Sequence, residues 1–165
     1  MEFNFNCYIY FTNFKSMKKY LIIAIVILLS IYSDLLSQPL AWAKQTVSPS
    51  AENGKVVEAD NLGNVYVMGS FNGLVDFDPG PATYTLQSIA GNNMFILKLD
   101  KNGNFAWAKQ FNGVSGDVEG KSMRLDVAGG FIYVTGNFWS ATDFDPSPGV
   151  FTLTPSSPQP DAFVL

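Results

Sequence analysis

Among the residues that could do chemistry, two acidic pairs stand out: Asp76 with Asp78 and Asp143 with Asp145, each within the tetrapeptide Asp-Phe-Asp-Pro. Carboxylates at i and i+2 beside a turn can contribute oxygens to Ca²⁺, which takes about six to eight ligands. Each pair supplies only two side-chain groups, and the longer calcium-loop pattern with its distal glutamate is absent. Turn formation is therefore the favoured reading and a calcium site the competing one; no other cofactor is indicated. Asp100 to Asn104 (DKNGN) also resembles a calcium loop on its surface, but Asn-Gly between two strand-like segments is sufficient as a hairpin signal. Asp60 and Asp126, at the ends of matching segments, read as turn caps.

Nucleophilic catalysis has little to work with. The chain has no histidine and a single cysteine, Cys7, close to its start, so it holds no Ser-His or Cys-His pair, and no thiol outside that segment. A hydrolase built on carboxylates alone is formally open, yet nothing selects one acidic pair for it. No catalytic residue is assigned, and the balance leans away from an enzyme. Of the tryptophans, Trp42 and Trp107 recur in equivalent places and read as core, whereas Trp139 stands outside the repeated pattern and is the candidate ligand contact.

These groups are positioned by a duplication. Leu62–Phe71 (LGNVYVMGSF) returns as Gly129–Phe138 (GGFIYVTGNF) at an offset of 67, and AWAKQ at Ala41–Gln45 returns at Ala106–Gln110 at an offset of 65. Asp76-Phe77-Asp78-Pro79 matches Asp143-Phe144-Asp145-Pro146 at 67, and Phe95-Ile96-Leu97 matches Phe163-Val164-Leu165 at 68. Offsets that creep by single residues place the insertions in loops between fixed elements.

Each copy predicts short strands separated by turns: Trp42–Val47 and Phe105–Phe111, Lys55–Ala59 and Lys121–Leu125, Val65–Phe71, Tyr84–Gln87 and Phe151–Thr154, and Met94–Asp100. Val65–Phe71 is apolar on both alternating faces, which predicts a strand covered on both sides. In Asp76–Gly80, proline is expected to fix one torsion and glycine to free another.

Ahead of the repeats, Leu21–Leu29 (LIIAIVILL) is an unbroken apolar run with Lys18-Lys19 before it. A helix needs about 20 apolar residues to span a bilayer, so residues 17–37 read as a signal peptide cleaved near Ser37, with an uncleaved anchor as the alternative. Residues 1–16, rich in aromatics and asparagine, read as a doubtful extension ahead of Met17. Cys7 precedes the apolar run, so it is not at a lipid-attachment position, and the exported chain would have no disulfide. From Gln38 onward the sequence holds 7 Lys and Arg against 12 Asp and Glu. A diffuse acidic surface without a basic stripe argues against nucleic acid, and membrane contact is confined to the signal segment if it stays uncleaved.

A unit of about 65 residues made of short antiparallel strands cannot bury both faces alone and needs neighbours stacked on it. The fold class expected is all-β, with β-propeller-like blades: a first repeat over residues 40–104 and a second over 105–165, which ends partway along the strand that the first continues as Lys98-Leu99-Asp100 and so reads as cut short.

GNVYVMGSF with VVEAD before it and VDFDPG after it, and GGFIYVTGNF with RLD before and TDFDP after, resemble the bacterial seven-bladed β-propeller repeat called SBBP, over about residues 40–165. The resemblance implies export to the cell surface or medium and a non-catalytic binding or structural module, the alternative being the propeller portion of a larger secreted enzyme such as a hydrolase. The implied partner is an extracellular protein or glycan recognised through loops at the blade ends. Two units fall short of the roughly four to eight blades with which propellers close, so further blades or further copies are expected to cover the open sheet edges.

Overall fold

The computed structural model describes residues 18–27, 40–115 and 117–165. The chain divides into two units, Met1–Ala41 and Trp42–Leu165. In the first, residues 18–27 form a helix; among the described residues no helix is long and apolar enough to cross a membrane. The doubtful extension (residues 1–16) and the cleavage point near Ser37 lie outside the described residues.

The second unit is antiparallel β-structure. In chain order its strands are β1 (Glu52–Ala59), β2 (Val65–Phe71), β3 (Leu74–Asp76), β4 (Thr85–Gln87), β5 (Asn93–Leu99) and β6 (Phe105–Gly113). They continue with β7 (Val118–Asp126), β8 (Phe131–Phe138), β9 (Thr142–Asp143), β10 (Thr152–Leu153) and β11 (Asp161–Val164). The first sheet runs β1-β2-β5-β6-β9-β10, the second β11-β8-β7, and β3 pairs with β4 as a separate hairpin.

The duplication is kept strand by strand. Ala59 faces Val65 and Glu52 faces Phe71 in β1–β2, while Leu125 faces Ile132 and Val118 faces Phe138 in β7–β8. Both ladders carry an irregularity at the same place, between Gly54 and Val56 and between Gly120 and Ser122. Strand β2 lies between β1 and β5, and both of its apolar faces are packed: Met68 lies in one core and Phe71 in the other.

Two cores form because the first sheet is covered on both faces. Met68, Met94, Ile96 and Phe111 from one face of that sheet pack against Val118, Met123, Val134 and Phe163 of the second. On the opposite face Phe95, Leu97 and Leu99 pack with Phe71, Val75 and Phe77, and Trp42 lies against them. Burying a side chain of this size contributes about 1.5–3 kcal/mol, and with no disulfide the unit rests on this packing.

Sequence and structure differ at the start of the first repeat. Trp42–Val47 does not form the expected strand: it makes a single bridge, Val47 with Asp76. The identical motif at Ala106–Gln110 is extended because β5 pairs with it along its length; no described strand flanks the first copy in that way. The hairpin expected at DKNGN forms, so β6, which opens the second copy by sequence, is hydrogen-bonded to β5 of the first.

Candidate functional site

Asp76 and Asp143 do the same work in both copies. Asp76 Oδ1 accepts the backbone N–H groups of Asp78 (3.0 Å) and Tyr84 (2.8 Å). Asp143 Oδ1 accepts those of Asp145 (3.0 Å) and Phe151 (2.8 Å). Asp78 Oδ1 in turn accepts from Gly80 at 2.7 Å, and Asp145 Oδ1 from Ser147 at 2.8 Å. Hydrogen bonding to Ser147 holds the Asp145 carboxyl below the usual range. The four candidate calcium ligands thus lie in two side-chain-capped turns, and among the described residues no third acidic or histidine side chain joins either pair. Gly80 serves differently from the expected torsional release: it is not among the residues with positive φ, and a Cβ there would lie 2.9 Å from Asp78 Oδ1.

The residue between the aspartates explains why the motif repeats. Phe77 and Phe144 are buried and complete equivalent aromatic triads. Phe77 meets Phe71 at 5.3 Å and Phe95 at 4.8 Å between ring centroids, and Phe144 meets Phe138 at 5.4 Å and Phe163 at 4.6 Å. Each Asp-Phe-Asp-Pro segment pins its turn to the sheet by a phenylalanine and shapes it by the flanking carboxylates.

Asp60 and Asp100 build a second recurrent device at one end of the first sheet. Asp60 Oδ1 accepts the N–H groups of Leu62 (3.0 Å) and Asn64 (2.9 Å), and its Oδ2 accepts Asn64 Nδ2 at 2.8 Å. Asp100 does the same with Asn102 (2.8 Å), Asn104 (2.9 Å) and Asn104 Nδ2 (3.0 Å). Gly63 and Gly103 have φ of 82° and 78°, which glycine adopts without steric cost. These bonds, led by the Asn64 side chain for Asp60 and the Asn104 backbone for Asp100, lower both carboxyl pKa values. DKNGN is a hairpin joining β5 to β6.

A cleft of about 370 Å³ lies at this end, between the sheets, bordered by Asp60, Tyr66, Lys98, Trp107, Asp126 and Phe131. Tyr66 and Trp107 meet edge to face with centroids 6.1 Å apart, and Lys98 Nζ lies 4.9 Å from the Tyr66 ring centroid. The cleft therefore offers aromatic surface, one cation and carboxylates at its rim, which suits a polar ligand with apolar faces. A larger space of about 420 Å³ lies over the opposite face of the first sheet, beside Trp42 and Val57.

Trp107, which reads from the sequence as core, packs against the inter-sheet cluster and also borders the cleft. The sequence carries only one signal for Lys98, that it is the one charge within Met94–Leu99. Trp139 follows β8 at its far end from Phe131; it is 40% exposed, and its backbone N–H donates to Asp117 O at 3.1 Å. The structure does not bring it to the cleft.

No protein-family model, curated protein or solved structure matches the chain.

Proposed function

We propose that this is an exported bacterial propeller-repeat protein of the SBBP type that serves outside the cell as a non-catalytic binding module. The four-stranded meander β1-β2-β5-β6 is a blade, and β7, β8 and β11 belong to the next. The observation that carries the reading is the use of the acidic pairs: both copies commit their Asp-Phe-Asp-Pro carboxylates to the same backbone N–H groups. Such repetition is what a scaffold needs, and it leaves recognition to the loop ends.

The ligand class that the cleft suits is a saccharide, with Tyr66 and Trp107 offering ring surface and Lys98 and Asp126 polar contacts. A glycan array probed with the purified chain tests this. Selective retention of a set of oligosaccharides, intact after incubation, is expected. Retention of none, or their cleavage, would overturn the reading, and cleavage would favour a secreted hydrolase.

A further inference from the structure

We propose that Asp126 is the carboxylate by which the cleft selects its ligand, a neutral saccharide whose hydroxyl groups donate to the free oxygen of that side chain. The inference rests on the saccharide reading of the cleft and narrows it.

A comparison of equivalent turns carries it. Asp60 and Asp100 each accept two backbone N–H groups at Oδ1 and the side-chain amide of an asparagine, Asn64 or Asn104, at Oδ2. In both turns a glycine of positive φ, Gly63 or Gly103, precedes that asparagine. Asp126 stands where Asp60 stands, because Leu125 faces Ile132 as Ala59 faces Val65. The place of Asn64 is then held by Phe131, preceded by Gly130 with φ of 74°. The connection is also longer, residues 127–131 against 61–64, and a phenyl ring donates no hydrogen bond. Asp126 Oδ1 accepts the Gly129 N–H at 2.9 Å, and its Oδ2 accepts from none of the described residues. Of the two aspartates bordering the cleft, Asp60 is spent on its own turn and Asp126 keeps an oxygen for a ligand.

The neighbours of that oxygen leave it room. A Cβ on Gly129 would lie 2.6 Å from Asp126 Oδ2 and 2.8 Å from Phe131 Cδ2, so glycine there keeps the space between carboxylate and ring open. An acceptor flanked by an aromatic edge suits a sugar, which carries hydroxyls around an apolar face. Charge selects a neutral one. Lys98 from β5 and Asp126 from β7 border the same cleft; an anionic sugar would meet the carboxylate and a cationic one the ammonium, whereas a hydroxyl donates to the first and accepts from the second.

Calorimetric titration of the full chain tests this, with cello-, malto- and manno-oligosaccharides as neutral probes, oligogalacturonate as the anionic probe and chitosan oligomers as the cationic one. Three variants accompany the wild type: Asp126→Asn, whose amide oxygen still accepts from Gly129; Phe131→Leu; and a turn swap that replaces residues 127–131 by Asn-Leu-Gly-Asn, the sequence of residues 61–64. The wild type should bind a neutral probe most tightly. Asp126→Asn and the swap should each lose about tenfold or more, and Phe131→Leu, which removes the ring without supplying an amide, should keep the binding that the swap loses. The swap should melt at or above the wild type, since its asparagine closes the turn. Tightest binding of a charged probe, undiminished binding in Asp126→Asn or in the swap, an equal loss in Phe131→Leu, or a swap that melts below the wild type would each overturn the proposal and leave the cleft a saccharide site. A wild type that binds no probe would overturn the proposal together with the saccharide reading.

Discussion

Gly69 and Gly136 hold the same place in the two sheets. A Cβ on Gly69 would lie 2.1 Å from the Asn53 carbonyl oxygen and 2.7 Å from the Phe95 ring; on Gly136 it would lie 2.1 Å from the Glu119 carbonyl oxygen and 2.8 Å from the Phe163 ring. The backbone oxygen cannot move without disturbing the ladder, so the space is closed to any other residue. Gly69→Ala and Gly136→Ala should each destabilise by about 3 kcal/mol, the upper end of overpacking costs, because the clash is with backbone. Chemical denaturation monitored by tryptophan fluorescence checks this; a loss under about 1 kcal/mol would show that the strands can part there.

The Asp-Phe-Asp-Pro turns predict a calcium-independent effect. Asp76→Ala and Asp143→Ala each free two backbone N–H groups and should cost about 1–3 kcal/mol. The loss should be the same in Ca²⁺ and in chelator. A melting point that rises with Ca²⁺ in the wild type and not in the variants would instead make these carboxylates metal ligands.

Acid should weaken the unit in a definite direction. The carboxyls of Asp60, Asp100 and Asp145 are lowered by hydrogen bonds, and that of Glu119 by Lys121 and Lys55. A folded-state pKa below the unfolded value means that the unfolded chain binds more protons in the acid range. Stability is then full at neutral pH and is lost as pH falls through the folded-state values, below the ordinary carboxylate range of about 4. Melting temperatures measured downward from neutral pH should stay level and then fall below about pH 4. Asp60→Asn and Asp100→Asn should flatten that fall, and a profile unchanged by both would contradict the assignment.

The proposed export makes its own prediction. Mass spectrometry of the protein recovered from the producing cell's medium or surface should find its first residue near Gln38, with peptides from residues 1–16 absent. An intact residue 2–15 peptide in the exported protein would contradict both the start at Met17 and cleavage.

Much of the fold was legible because the duplication marks which positions are fixed. The strands around Val65–Phe71 and Met94–Asp100 and the turns at Asp60 and Asp100 follow from local pattern, which a short apolar run, alternation and glycine-bearing Asp-to-Asn turns encode directly. What local pattern cannot encode is pairing. The same AWAKQ is a strand at Ala106–Gln110, where β5 flanks it, and is not one at Ala41–Gln45. Likewise Phe77 reads as one residue of a turn until its contact with Phe95, distant in sequence, makes it an anchor. The cleft was illegible for the same reason: Tyr66 and Lys98 meet only when β2 pairs with β5, and Asp126 joins them only when the second sheet stacks on the first.

The central claim is that both copies spend their acidic pairs on the scaffold and leave recognition to the cleft. Calorimetric titration of the tightest array saccharide into wild type, Lys98→Ala, and the double variant Asp76→Asn with Asp143→Asn tests it most directly. Losing a charged hydrogen-bond donor should weaken binding about tenfold or more in Lys98→Ala, while the double variant binds as the wild type does. Unchanged binding in Lys98→Ala together with its loss in the double variant would place the site at the Asp-Phe-Asp-Pro turns and contradict the account.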